Sequence, residues 1–133
     1  MRKAAFVLVF LSLCMACGDK KTPEEQAMEG ASVAAGVYYD FLLHGDYDQF
    51  LGGRMGMDSI PASYREQLLA SYRQFMAQQK EAHGGMTSVK VNNARIDSTQ
   101  HLVQVFLMIG YADSLQEEIV VPMVEHDGVW LMK

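Results

Sequence analysis

Side chains able to transfer protons, ligate metals or attack a substrate are few in this sequence, and they are scattered. His44 and His83 each precede glycine, His126 precedes Asp127-Gly128, and His101 stands where a strand begins. None pairs with another at metal-ligand spacing, so no metal site and no cofactor are expected. Glu117 and Glu118 straddle the two faces of a strand close to a turn, which puts at least one of them in solvent. Glu125, near Trp130, reads as an edge salt-bridge partner. An enzyme would need an inward ionisable group whose pKa its surroundings shift; no such group stands out, and a non-catalytic protein is the expectation. Cys14 and Cys17 lie near the start and no cysteine follows, which leaves the rest of the chain without a disulfide or a CxxC pair.

Aromatic and thioether side chains are more plentiful. Tyr38, Phe41, Tyr72, Phe75, Phe106, Met108 and Trp130 are the natural lining of a cavity, and equally the natural filling of a core. Met76, Met123 and Met132 add pliable surface, which suits broad binding better than exact catalysis.

Elements that position these side chains belong to one domain, because 133 residues supply a single core of ordinary size. Half of the residues are hydrophobic and 20% are charged, a globular balance. With 11 Lys and Arg against 16 Asp and Glu, the net charge is -5, and a nucleic-acid partner is not expected because phosphate contacts need a basic face.

Arg2 and Lys3, the apolar run Ala4 to Ala16, and the polar turn Cys17-Gly18-Asp19-Lys20-Lys21 have the form of an export signal. At 1.5 Å per residue the run is too short to cross roughly 30 Å of hydrocarbon, so cleavage is expected rather than retention as an anchor. The segment resembles a bacterial lipoprotein signal, with Cys14 where that pattern usually has leucine. The resemblance implies acylation of Cys17 and a membrane anchor through the N-terminal acyl chains; Lys20 and Lys21, where surface-displayed lipoproteins often carry acids, give the expectation of an anchor facing the periplasm. The resulting division is a signal over 1–16, a lipidated cysteine and tether over 17–22, and an α+β domain over 23–133. Loss of the signal removes two bases and no acid, which makes the exported part more acidic still.

Thr22-Pro23-Glu24-Glu25 has the form of a capping box with proline at the first helical position. Ala27, Ala31, Ala34, Tyr38, Phe41 and Leu42 then recur at steps of three and four, small residues first and large ones last. His44-Gly45 ends this helix, and Asp46 opens a short one carrying Tyr47, Phe50 and Leu51, closed by Gly52-Gly53. Ser59 and Pro61 open a third helix with Ile60, Tyr64, Leu68, Tyr72, Phe75 and Met76 on one stripe, stopped by Gly84-Gly85. From Met86 the period becomes alternating. Asn92-Asn93 marks a bulge, and Asp97-Ser98 a turn. The run from His101 to Ala112 is apolar on both sides, as in a strand covered on both faces. A turn at Asp113-Ser114 places Phe106 opposite Val121 and Met108 opposite Ile119. Asp127-Gly128 is a hairpin signal that sets Trp130 beside Glu125 and Met132 beside Met123. Pro122, which cannot donate to a ladder, then pairs near Lys133.

The order of Tyr38-Tyr39-Asp40-Phe41, Gly45-Asp46-Tyr47, Gly84-Gly85-Met86-Thr87-Ser88-Val89 and Asp127-Gly128-Val129-Trp130 resembles small lipoproteins with a nuclear transport factor 2-like (lumazine-binding-like) cone. That resemblance implies N-terminal helices on a curved antiparallel sheet of about four strands, wrapped around the long helix and able to leave a pocket between them. It implies no defined active site. The same fold hosts dehydratases, isomerases and epoxide hydrolases, so fold alone assigns no activity. Three readings stay open at this point: a tethered binding module for a small apolar ligand or an envelope component, a homodimeric assembly subunit that meets its copy through a sheet face carrying Ile119, and a hydrolase or lyase using the cone pocket.

Overall fold

The computed structural model describes residues 20–133, and the signal segment and Cys17 lie outside the described residues. Helix α1 (Pro23–Leu43) starts on the expected box: Thr22 Oγ1 accepts the Glu25 N–H at 3.1 Å, and Glu25 Oε1 accepts the Thr22 N–H at 2.9 Å. Both donors would otherwise be unsatisfied at a helix start. Helix α2 (Tyr47–Gly52) and helix α3 (Ala62–His83) follow, with Gly84 ending α3 in the left-handed conformation. Four strands complete the chain: β1 (Met86–Asp97), β2 (Leu102–Tyr111), β3 (Gln116–His126) and β4 (Val129–Met132). They form one antiparallel meander in the order β1-β2-β3-β4, curved and unclosed. This is the α+β architecture expected.

Register decides which side chains face the helices. The β1–β2 ladder shifts between Val91 and Asn93, the bulge expected there. Asp127 and Gly128, both with positive φ, make the two-residue hairpin that pairs Glu125 with Trp130 and Met123 with Met132. Pro122 sits opposite Gln104 and accepts the Lys133 N–H at 2.9 Å, which leaves its missing donor at the end of β4.

The β2–β3 register differs by one residue from the expectation. Phe106 faces Val120 and Met108 faces Glu118, while Val105 pairs with Val121 and Leu107 with Ile119. Its cause is the loop: Tyr111 N–H bonds Leu115 O at 3.0 Å around Ala112-Asp113-Ser114, with Ser114 at φ 73°. That is a three-residue hairpin with its last residue left-handed, not a two-residue turn. A one-residue slip moves a strand's side chains to the opposite face, so Ile119 and Val121 join the face of Val105 and Leu107.

That face carries the core: Val103, Val105, Leu107, Ile109, Tyr111, Val121, Met123 and Met132 are buried together with Ala31, Ala35 and Leu42 of α1 and Phe50 of α2. The opposite face of β2 is not covered as expected. Gln104, Phe106 and Met108 are half-exposed there, with the Arg95 guanidinium 5.5 Å above the Phe106 ring. Nor is the third helix the one the sheet wraps. Helix α1 fills that place because its alanines allow close approach, whereas α3 buries only Leu69 and exposes Tyr64 and Phe75.

Candidate functional site

Because α3 stands off the sheet, a groove opens between them. Its floor is Ile109, Tyr111 and Ile119 of the sheet, and its walls are Tyr39 and Leu42 of α1, Phe50 of α2, and Ser71, Tyr72 and Phe75 of α3. This section holds about 460 Å³, inside the range of roughly 300–1,000 Å³ for small-molecule sites. A second section of about 230 Å³ continues toward Arg54, Pro122, Met132 and Lys133 and shares Tyr39, Phe50, Tyr72 and Val120 with the first.

Aromatic edges build the junction of the two sections. Tyr39 and Phe50 meet edge to face at 5.1 Å between ring centres, and Phe50 and Tyr72 do so at 5.0 Å, the geometry that ring quadrupoles favour. Polar groups stand at the two ends. At one end the Arg54 Nη1 donates to the Tyr72 hydroxyl at 3.2 Å. At the other, the Tyr111 hydroxyl donates to Glu117 Oε1 at 3.1 Å. Burial first, then the Glu117 hydrogen bond and charge, push the Tyr111 phenol up to about 12. Burial also raises Tyr39, reinforced by Tyr72 and opposed by the Arg54 charge. Both phenols are therefore protonated donors near neutrality.

Of the residues the sequence marked for a pocket, the structure brings Tyr72 and Phe75 to the groove. Tyr38 and Phe41 pack against the core on the α1 side instead, where the Tyr38 hydroxyl donates to the Trp130 carbonyl at 2.7 Å. Trp130 closes over Gly30 and borders a separate shallow hollow with His101 and Glu125. Phe106 and Met108 lie on the other face of the sheet, away from every helix, because β2 presents even-numbered residues outward. Sequence reasoning missed Tyr39, Ile119 and Arg54 as groove residues, and it singled out Glu117 only as one of two strand carboxylates of which at least one meets solvent. The register slip hid Ile119, and Arg54 sits in a loop where no periodicity marks it.

A broader depression of about 590 Å³ lies over the loop Arg54–Asp58, beside Arg65 and His126. It is bordered largely by loop, and its Arg65 is already paired with Asp48 at 2.9 Å; the groove between helix and sheet is the better-supported site. Near the groove's Tyr111 end, His83 Nδ1 lies 2.8 Å from Asp113 Oδ2, and that hydrogen bond, with the Leu115 N–H, holds the Asp113 carboxyl below its ordinary range. Among the described residues no polar or charged side chain is buried, and no three His, Cys, Asp or Glu gather as a metal cluster.

No protein-family model and no curated protein matches the chain. Among solved structures, it is similar to a Campylobacter jejuni protein that carries the provisional name NTF2-like transpeptidase, at 12% identity with a TM-score of 0.57, covering 84% of this chain and 97% of that one. N-terminal helices followed by a curved, unclosed four-stranded antiparallel sheet, in a likeness spanning most of both chains, make the fold nuclear transport factor 2-like.

Proposed function

We propose that this chain is a non-catalytic binding module, tethered to a bacterial envelope membrane through acylated Cys17 and facing the periplasm, that holds a small apolar ligand in the groove between α3 and the sheet. The observation that carries this reading is the groove's composition: Phe50, Tyr72, Phe75, Ile109 and Ile119 supply continuous apolar surface, and the charged side chains Glu117, Arg54 and Lys133 stand at its ends. Apolar surface of that kind binds by exclusion of water. The name of the Campylobacter protein invokes acyl transfer, which needs an activated nucleophile. Ser71, the only serine among the described residues that line the groove, donates its hydroxyl to the Leu68 carbonyl at 2.7 Å instead of to a base.

The test uses the uncharged dye N-phenyl-1-naphthylamine, whose fluorescence rises in apolar sites. Wild-type protein should enhance it saturably, and Phe75→Asp should abolish the enhancement. Phe75 is 41% exposed, so this variant keeps its fold. No enhancement by the wild type, or full enhancement by the variant, rejects the groove. Mass spectrometry of the mature N-terminus tests the anchor, and an unmodified Cys17 rejects it.

A second reading, assembly with another copy, draws support from the outer sheet face, where Phe106 and Met108 are half-exposed and line no part of the groove. Ile119 faces inward and is the wrong probe for such a surface. Sedimentation of Phe106→Glu is the appropriate measurement, and a mass unchanged from the wild type rejects that surface.

A further inference from the structure

We propose that the ligand of the groove is a single-chain, long-chain carboxylate, its head on Arg54 and its hydrocarbon laid along Phe50, Tyr72 and Phe75. This rests on the groove reading above and adds the chemistry of the occupant.

Arg54 carries the argument. It is half-buried, and none of the ion pairs among the described residues includes it. A guanidinium partly removed from water without an anion is a costly arrangement. Its planar fork matches a carboxylate bidentately. One nitrogen is occupied by the Tyr72 hydroxyl, which leaves further donors free.

Its place is fixed by the backbone. Met132 N–H bonds Gly53 O at 2.7 Å and Met55 N–H bonds Met132 O at 2.8 Å, so the segment around Arg54 runs as a short parallel extension of β4. The cation is thereby presented from the sheet edge into the narrower section of the groove, which opens directly onto the apolar section. Tyr39, protonated through burial, stands at the same junction as a further donor.

Charge at the other end sets the direction. Glu117 stands at the far end beside Tyr111 and repels an anionic head, so the head lies at Arg54 and the tail points toward Glu117. An apolar section of about 460 Å³ suits one acyl chain and not the paired chains of a phospholipid.

Displacement of N-phenyl-1-naphthylamine from the full mature chain tests this directly, with dodecanoate and its uncharged counterpart 1-dodecanol as competitors. Dodecanoate should displace the dye at about one-tenth the concentration of dodecanol, the weight of one charge-assisted pair. From octanoate to dodecanoate, each added methylene should tighten binding about three- to fourfold until the groove is filled. Arg54→Gln keeps an N–H donor for Tyr72 and removes the charge; it should bring the acid down to the level of the alcohol and leave the alcohol unchanged. Arg54→Lys should recover part of the difference, which a merely structural role for Arg54 would not predict. Equal displacement by acid and alcohol in the wild type, or an Arg54→Gln protein that still prefers the acid, overturns the proposal while dye binding leaves the groove standing. Failure of the dye itself to bind overturns the groove reading and this proposal with it.

Discussion

Two amphipathic helices of nearly equal length, α1 and α3, meet the same sheet with opposite outcomes. Helix α1 seals against it: Ala31 and Ala35 are fully buried, and Gly30 lies so close to Trp130 that an added Cβ would fall 2.6 Å from the indole nitrogen. Helix α3 presents large aromatics where α1 presents alanines, and these hold it away. Close packing needs small side chains at the crossing, and large ones without matching hollows leave space. The filled interface supports the fold, and the unfilled one is the candidate site.

The sharpest way to break this contrast is to delete equivalent bulk on both sides. Leu107 is fully buried in the sealed core, and Leu107→Ala should cost about 2–5 kcal/mol in urea denaturation, the transfer and cavity terms together. Phe75→Ala on α3 should cost under about 1 kcal/mol, because Phe75 already meets solvent. Comparable losses would mean that α3 is packed as tightly as α1 and that no open groove persists in solution.

A smaller effect should follow from overfilling the sealed side. A Cβ on Gly53 would lie 2.4 Å from the Tyr38 ring, and that ring is held by its hydroxyl on the Trp130 carbonyl. Gly53→Ala should therefore destabilise by about 1–3 kcal/mol. The same methyl added at Gly52, where nothing lies within 4 Å, should leave the urea midpoint nearly unchanged.

How far the sequence announced this contrast depends on how local each signal is. The capping box at Thr22 and the Asp127-Gly128 hairpin were legible because a few adjacent residues satisfy them. Periodicity likewise exposed both helical stripes. It could not rank them, since a stripe reports which residues turn inward and not how closely the backbone approaches. Phe106 and Met108 were misplaced because β2 is apolar on both faces, and only the helices decide which face is inside. The β2–β3 loop was misread because serine occupies its left-handed position, where glycine would have signalled the turn. Arg54 carries meaning only through burial and the absence of a partner, neither of which spacing encodes.

That loop offers a milder test of the open side. Ser114 holds φ 73°, a conformation that costs an L residue roughly 1–2 kcal/mol, partly offset by glycine's greater entropy when unfolded. Ser114→Gly should raise stability by up to about 1 kcal/mol without altering the Tyr111–Leu115 bond that sets the register. A loss of stability instead would mean that the serine side chain supports the loop.

The smallest expected effect compares one phenol on each side. Burial raises Tyr38, on the sealed side, and Tyr111, on the groove, but only Tyr111 also bears the hydrogen bond and charge of a carboxylate. A phenol with a raised folded pKa adds stability that is present in full below the unfolded value of roughly 10. That contribution is lost as pH climbs toward the folded value of about 12. Glu117→Gln removes the charge and keeps an oxygen to accept the bond. Ultraviolet titration of the phenolates should show one tyrosine ionising at lower pH in this variant, and the alkaline loss of stability in the window above pH 10 should shrink. Tyr38, tied to a backbone carbonyl across the core, should titrate as before. Were Tyr111 to ionise unchanged, its bond to Glu117 would be too short-lived to matter, and the groove would be wetter at that end than its geometry implies.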